Sequence, residues 1–155
     1  EGRIFGCQLI RNWRFGSMKR LAVVDSEKCI GCQSCMFACA RRGGSGGLAD
    51  RRIHVRSDGG IEKGFVVVVC RMCEQPSCAV VCPTEALVRR ADRGVDFNAN
   101  KCIGCKLCVG ACPFGAIFWN EEIQKPMICV RCGICVSYCP YGVLAMEECG
   151  TEVKP

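Results

Sequence analysis

The stretch CIGCKLCVGACPFG, residues 102–115, decides how this chain is read. It spaces Cys102, Cys105, Cys108 and Cys112 as C-x2-C-x2-C-x3-C and follows the last with Pro113. Twenty-seven residues on, CVRCGICVSYCPYG (residues 129–142) repeats it without a gap, through Cys129, Cys132, Cys135 and Cys139. Upstream, CIGCQSCMFACA (residues 29–40) is the same unit without its proline and carries Cys29, Cys32, Cys35 and Cys39. CRMCEQPSCAVVCP (residues 70–83) holds two extra residues before its third cysteine and carries Cys70, Cys73, Cys78 and Cys82. Sixteen of the eighteen cysteines thus fall into four quartets, and the repeat organises the whole chain. A cubane cluster needs four thiolates, and this spacing is the ligand run of one. The quartets therefore predict four [4Fe–4S] clusters and chemistry limited to moving electrons.

The spacing has a physical reason. Three cysteines at i, i+3 and i+6 sit on one tight loop curled over a face of the cubane. Gly31, Gly104 and Gly133 let the backbone approach and aim N–H groups at the sulfurs. Such hydrogen bonds stabilise the reduced cluster and help set its potential. The fourth cysteine is expected to start a short helical turn and to point away from that loop. The proline after it fixes φ and ends the pairing. A four-cysteine zinc site is the competing reading. Zinc ribbons and fingers separate two C-x2-C pairs by a longer span, whereas each quartet here closes within eleven or thirteen residues. A narrower alternative leaves one quartet vestigial, either the second, with its irregular gap, or the first, without its proline.

Composition agrees with a metal-stapled chain. Half of the 155 residues count as hydrophobic, but without cysteine the apolar share is roughly 38%, thin for an aliphatic core. Clusters must then act as staples, and the metal-free chain is expected to be largely unfolded. The formal charge of +6 is misleading. Sixteen ligand thiolates and oxidised cores of about +2 each bring the loaded chain to about −2. No basic tract with interleaved aromatics appears, which argues against nucleic acid. Apolar runs such as Phe65–Val69 are far too short to span a bilayer, which argues against direct membrane insertion. No secretory or twin-arginine signal opens the sequence, and C-x2-C pairs dominate over a disulfide framework. A reducing cytoplasm is the expected location, and oxidisable thiols and clusters suit an anaerobic setting.

The first seventeen residues have two readings. Glu1-Gly2-Arg3 and Gly16-Ser17-Met18 resemble a tag remnant and a cloning scar; alternatively Ile4–Phe15 is a native arm that buries Phe5, Trp13 and Phe15 on a partner. Leu21–Asp25 is rich in β-formers. The insert Arg41–Gly64 opens on Gly43–Gly47, a loop composition, then alternates over Arg52–Arg56 before a turn at Asp58–Gly60. Phe65–Val69 is the clearest strand. Leu87–Arg89 and Val95–Phe97 flank a turn, as do Ala116–Trp119 and Pro126–Ile128, and both read as hairpins; Val143–Met146 is a last strand. The insert and the termini are the expected docking surface.

Outside the quartets, Phe114 and Tyr141 are expected to pack beside clusters. Arg71 and Arg131 lie inside ligand loops, where a cation would raise a cluster's potential; a solvated or partner-facing charge is the plainer reading. His54 is expected to be exposed, and Cys7 and Cys149 to be free thiols. No Ser-His-Asp set, G-x-G-x-x-G or P-loop appears, so the chain is expected not to be an enzyme.

From Cys29 to Gly142 the chain resembles the four-cluster, ferredoxin-like electron-transfer subunits of bacterial oxidoreductases. The second quartet looks like their second motif, C-x-x-C-x-x-P-x-C-x-x-x-C-P. The resemblance implies an α+β fold of tandem bacterial-ferredoxin-like dicluster halves, with short hairpins and helices around the clusters. It pairs motif one with four and motif two with three. One cluster then takes Cys29, Cys32, Cys35 and Cys139, and its neighbour takes Cys129, Cys132, Cys135 and Cys39. The inner two take Cys70, Cys73, Cys78 and Cys112, and Cys102, Cys105, Cys108 and Cys82. Residues 1–17 form the tag or arm, and 18–64 hold the first motif and the insert of an outer half. Residues 65–119 form an inner half, and 120–155 complete the outer half and add a tail.

In the molybdenum-enzyme branch of these subunits the fourth motif carries a long gap between its second and third cysteines. Here two residues separate Cys132 and Cys135. That form is more similar to the small subunits that accompany tungsten-containing aldehyde oxidoreductase-type enzymes, including tungsten-dependent benzoyl-CoA reductase. The implied partners are a large pterin-containing tungsten or molybdenum catalytic subunit and a second redox partner, a ferredoxin or a flavin/NAD subunit. The alternatives are a free-standing polyferredoxin, or the iron–sulfur subunit of a molybdenum reductase, formate dehydrogenase or hydrogenase complex. A cluster-bearing sensor or scaffold lacks a regulatory module in this sequence.

Overall fold

The computed structural model describes residues 19–59 and 64–148. The expectations for residues 1–17, for Cys7 and Cys149, and for Gly60 in the insert turn lie outside them. The described residues build an α+β fold of four two-stranded antiparallel sheets and four short helices. The longest helix, α1 (Ser34–Arg42), has nine residues, while α2 (Ser77–Val80), α3 (Leu107–Ala111) and α4 (Ile134–Ser137) have four or five. Helices this short do not hold in water alone, so their shape must come from what they pack against.

Each helix runs toward the fourth cysteine of its motif rather than out of it, the reverse of the sequence expectation. The proline explains the stop. The residue before a proline is driven out of the α region, and Cys112, ahead of Pro113, sits at φ −78°, ψ 110° and closes α3. The first motif has Ala40 where the others have proline, and α1 accordingly runs past Cys39 to Arg42.

Strand β1 (Lys19–Val23) pairs with β8 (Leu144–Glu148), Leu21 opposite Met146, and so joins two distant parts of the chain. Three hairpins complete the sheets. The insert supplies β2 (His54–Ser57), which pairs with β3 (Phe65–Val68). Next come β4 (Leu87–Arg89) with β5 (Val95–Phe97), and β6 (Phe118–Asn120) with β7 (Lys125–Met127). Helix α1 packs on α4, and α2 packs on α3.

Two apolar cores follow. Leu21, Met36, Ile53, Val55, Val69, Val143 and Leu144 surround Cys35, Cys39 and Cys135. Leu87, Ile117 and Ile128 surround Cys108. The insert is more structural than its glycines suggest: Ile53 is 1% exposed, and Val55 is buried beside it. Asn120 ties the insert to the β6–β7 turn. It is 3% exposed and donates from Nδ2 to Asp50 Oδ1 at 2.7 Å, and its Oδ1 accepts the N–H groups of Glu122 (2.9 Å) and Ile123 (3.2 Å). His54 is half-buried rather than exposed, its ring centroid 5.6 Å from that of Phe118.

Candidate metal centres

Every ligand loop is wound by residues in the left-handed region. In motif one these are Gly31 (φ 71°) and Gln33 (φ 59°), in motif three Gly104 (76°) and Lys106 (61°), and in motif four Arg131 (59°) and Gly133 (74°). They flank the second cysteine on both sides. Motif two, with its longer gap, keeps Met72 at φ 53°. Non-glycine residues here cost on the order of 1–3 kcal/mol each and persist only where the surroundings demand it. The sequence points to the glycines; it carries no signal for Gln33, Met72, Lys106 and Arg131.

The loops bring cysteines together around three open-mouthed cavities. One, of about 330 Å³, is lined by Cys29, Cys32, Cys35 and Cys139, with Tyr141, Val55 and Leu144 in its wall. Another, of about 320 Å³, is lined by Cys102, Cys105, Cys108 and Cys82 beside Phe97 and Trp119. A third, of about 340 Å³, is lined by Cys129, Cys132, Cys135 and Cys39 together with Arg131. In each, three cysteines come from one motif and the fourth from another. Cys70, Cys73 and Cys112 gather around Cys78, whose thiol is pushed up to about 11 by burial and then by those three neighbours. Burial, followed by Cys139 and Cys32, does the same to Cys35, also to about 11. Cys135 reaches about 12, through burial and then Cys129, Cys39 and Cys132.

These crowded thiols repel one another as anions, which is the environment a cationic iron–sulfur core relieves. All sixteen motif cysteines are free thiols. Among the described residues, no three His, Cys, Asp or Glu side chains converge closely enough to hold a single metal ion. Four thiolates gathered without such convergence suit a multi-iron core with four corners rather than a single zinc ion.

The fourth cysteines receive backbone N–H groups in a common way. Ala116 N–H donates to Cys112 Sγ and Val143 N–H to Cys139 Sγ, both at 3.4 Å, from the fourth residue after each cysteine. At Cys82 burial raises the thiol, but the N–H groups of Leu87, Thr84 and Ala86 and the Thr84 hydroxyl outweigh it, and the net shift is downward. Cys39 differs because α1 continues past it. Its donor is Arg52 N–H, at 3.2 Å, delivered by the insert thirteen residues later. No sequence motif announces that contact.

Of the other expected residues, Tyr141 lines the first cavity. Phe114 is about half exposed and lies under the guanidinium of Arg71, 5.7 Å from ring centroid to Cζ; Arg71 itself is exposed, in line with the plainer reading of a solvated charge. Arg131 is the loop arginine that lines one.

Residues 95–118 and 125–145 match the family model described as 4Fe-4S binding domain, and residues 26–42 match a second model of the same description. The chain therefore carries 4Fe–4S binding domains, and its cofactors are multiple [4Fe–4S] clusters. Among curated proteins it is similar to formate hydrogenlyase subunit 2 of Escherichia coli (strain K12), 43% identical over 101 residues, which cover 64% of this chain and 48% of that protein. Electron transport protein HydN of the same strain is 39% identical over 120 residues (72% and 64%). A tetrathionate reductase subunit of Salmonella typhimurium is 35% identical over 108 residues (66% and 43%). The chain spans about half to two-thirds of the length of these relatives. Among solved structures, a chain of the active site complex BamBC of benzoyl coenzyme A reductase with benzoyl-CoA shares the fold at TM-score 0.50 and 20% identity, covering 88% of this chain and 83% of that one. The same complex with 1,5-dienoyl-CoA gives 0.51 and 21%, covering 89% and 79%. Among the described residues no helix is long and apolar enough to cross a membrane.

Proposed function

We propose that this chain is a non-catalytic electron-transfer subunit that relays single electrons through four [4Fe–4S] clusters, to or from a large catalytic subunit. The observation that carries the proposal is the make-up of the cavities, three cysteines from one motif and the fourth from another. The proposed ligand sets are Cys29, Cys32, Cys35 and Cys139; Cys129, Cys132, Cys135 and Cys39; Cys70, Cys73, Cys78 and Cys112; and Cys102, Cys105, Cys108 and Cys82. Under these sets the chain is two dicluster halves, motifs one and four forming the outer and motifs two and three the inner. When bound, each cluster accepts and passes on one electron. The protein's part is to hold the clusters at fixed spacing and to set their potentials through N–H groups on sulfur, nearby charge and solvent access.

The names of the relatives support service in an oxidoreductase complex. For the partner we favour a pterin-containing tungsten or molybdenum subunit of the aldehyde oxidoreductase or benzoyl-CoA reductase type. The two-residue gap between Cys132 and Cys135 supports that choice, and the fold shared with the BamBC complex is compatible with it. The likeness to HydN, named as an electron transport protein, supports a second reading, a free-standing carrier. A cytoplasmic location belongs to the proposal in either form.

Chemical analysis tests the core of it. Iron and acid-labile sulfide should each approach about sixteen per chain for four cubanes, and a value near half of that sinks the four-cluster assignment. Affinity purification from the native host separates the two forms: a complexed chain carries a large metal–pterin protein with it, and a carrier comes alone.

A further inference from the structure

The turn between β4 and β5 touches two ligand loops at once. Asp92, in that turn, accepts hydrogen bonds from two arginines. Arg90 of the same hairpin donates from Nε to Oδ1 at 2.7 Å and from Nη2 to Oδ2 at 3.3 Å. Arg131, thirty-nine residues away in the fourth motif, donates from Nη1 to Oδ2 at 3.0 Å. The same turn rests on the second motif, where Gly94 N–H donates to the Cys73 carbonyl at 3.0 Å and Gly94 packs against buried Met72.

Arg131 thus sits where the two cores meet. Its side chain is only 17% exposed. It lines the cavity of Cys39, Cys129, Cys132 and Cys135, and its backbone N–H donates to Cys129 Sγ at 3.5 Å.

We propose that Arg131, pinned by Asp92, is a fixed charge that raises the reduction potential of the cluster held by Cys39, Cys129, Cys132 and Cys135, in a cavity whose wall also includes Arg42 and Arg52. The inference rests on the four-cluster reading above. A guanidinium is never deprotonated at working pH, and one this sheltered is poorly screened. Reduction adds one negative charge beside it, so a fixed cation favours the reduced form and raises the potential. Asp92 is shared with Arg90 and is not among the residues lining the cavity, so it cancels little of this. Its role is positional. A free Arg131 would turn toward water, where a charge contributes little. One electron passed to this cluster reduces it and oxidises its donor, with no bond or proton moved, so its potential relative to its neighbours fixes the direction of that step.

The test is a reductive titration of the fully loaded protein followed by electron paramagnetic resonance, with iron and sulfide counted on every sample. Arg131→Gln should lower one of the four potentials by about a tenfold change in equilibrium constant, ~59 mV for one electron, and leave the other three in place. Asp92→Asn decides the positional role by its sign. Loss of a negative charge alone would raise that potential, whereas release of Arg131 lowers it, and lowering is the expected result. Unshifted potentials at full iron in Arg131→Gln, a shift spread over all four, or a rise in Asp92→Asn overturns the inference. Fewer than four clusters in the native protein would instead be a failure of the four-cluster reading. Should Arg131→Gln lose iron, Arg131→Lys carries the test: it keeps the charge and should be iron-complete with near-native potentials. An iron-poor Arg131→Lys would make the residue a strut and overturn its electrostatic role.

Discussion

The backbone N–H of Arg52 donates to Cys39 Sγ at 3.2 Å, filling a place that in the third and fourth motifs is filled by the residue just after the motif. Pro113 and Pro140 end those motifs' helices and free the fourth residue after the cysteine to turn back onto sulfur. Helix α1 has no such stop, and Gly43, four residues after Cys39, donates instead to Ala40 O. The insert therefore completes the surroundings of a sulfur that the first motif leaves short. Arg52→Ala keeps that backbone donor but removes a side-chain cation lining the cavity of Cys39, so it is the reference against which the N–H is read. Arg52→Pro removes the N–H as well and should lower the potential of the cluster held by Cys39 below that reference, on the order of a tenfold change in equilibrium constant or ~59 mV, read by redox titration at verified iron content. Equal behaviour of the two variants would refute the role.

Cys139→Ser should disturb the cluster anchored by Cys29, Cys32 and Cys35, because Cys139 lines their cavity and not that of its own motif. The expected sign is an altered spectroscopic signal for that cluster while the one held by Cys129, Cys132 and Cys135 stays native. The opposite pattern would mean that each motif serves its own cluster.

Gly31→Ala should destabilise the loaded fold. Gly31 has φ 71°, and an added Cβ would stand 2.3 Å from Phe65 Cε1. The conformational cost alone is about 1–2 kcal/mol, and the clash adds to it. Thermal unfolding measures the loss. Phe65→Leu in the same background should recover part of it, and no recovery would mean that backbone strain accounts for the whole effect.

His54 gives a pH dependence. Burial, then Arg51 and Arg56, lowers its pKa below the usual histidine range, and its Nδ1 faces Arg51 Nη2 at 3.3 Å. The folded state thus holds it neutral while the unfolded chain protonates near 6.5. Stability should be full above that value and fall as pH drops from 7 toward 5. His54→Gln should flatten part of that decline in melting temperature, and an unchanged slope would show that the ring titrates freely.

Asn120→Asp should loosen the contact between the insert and the β6–β7 turn. It removes the donor to Asp50 and sets two carboxylates face to face at a buried position. A loss of about 1–3 kcal/mol is expected, measured by chemical denaturation of the loaded protein. Asp50→Asn in the same chain should restore much of it.

What can be read from the sequence follows from how local the signals are. Ligand spacing is a covalent pattern, so the four motifs, the hairpins at Leu87–Phe97 and Phe118–Met127, and strand β3 lie close to their expected places. The β1–β8 pairing joins residues more than a hundred apart, and no local pattern encodes it. Helix direction runs against expectation because the effect of Pro113 on Cys112 acts backwards along the chain. Arg52 reaches Cys39 Sγ through its backbone N–H, which side-chain identity cannot reveal, and Asp92 reads from sequence as nothing more than a turn residue. Arg131 stands out as a cation inside a ligand loop, but its partner lies in another hairpin.

The β1–β8 ladder also bears on manufacture. Residues 19–23 find their partner only when residues 144–148 have been made, and under the proposed ligand sets both outer sites wait for Cys139 or Cys129–Cys135. The two inner sites draw all their ligands from Cys70–Cys112. On a chain that emerges N-terminus first, the inner pair can be filled while the first motif, already out, still lacks its fourth ligand. Cluster delivery then runs from the middle outward, and Cys29, Cys32, Cys35 and Cys39 are the thiols that must be kept reduced longest.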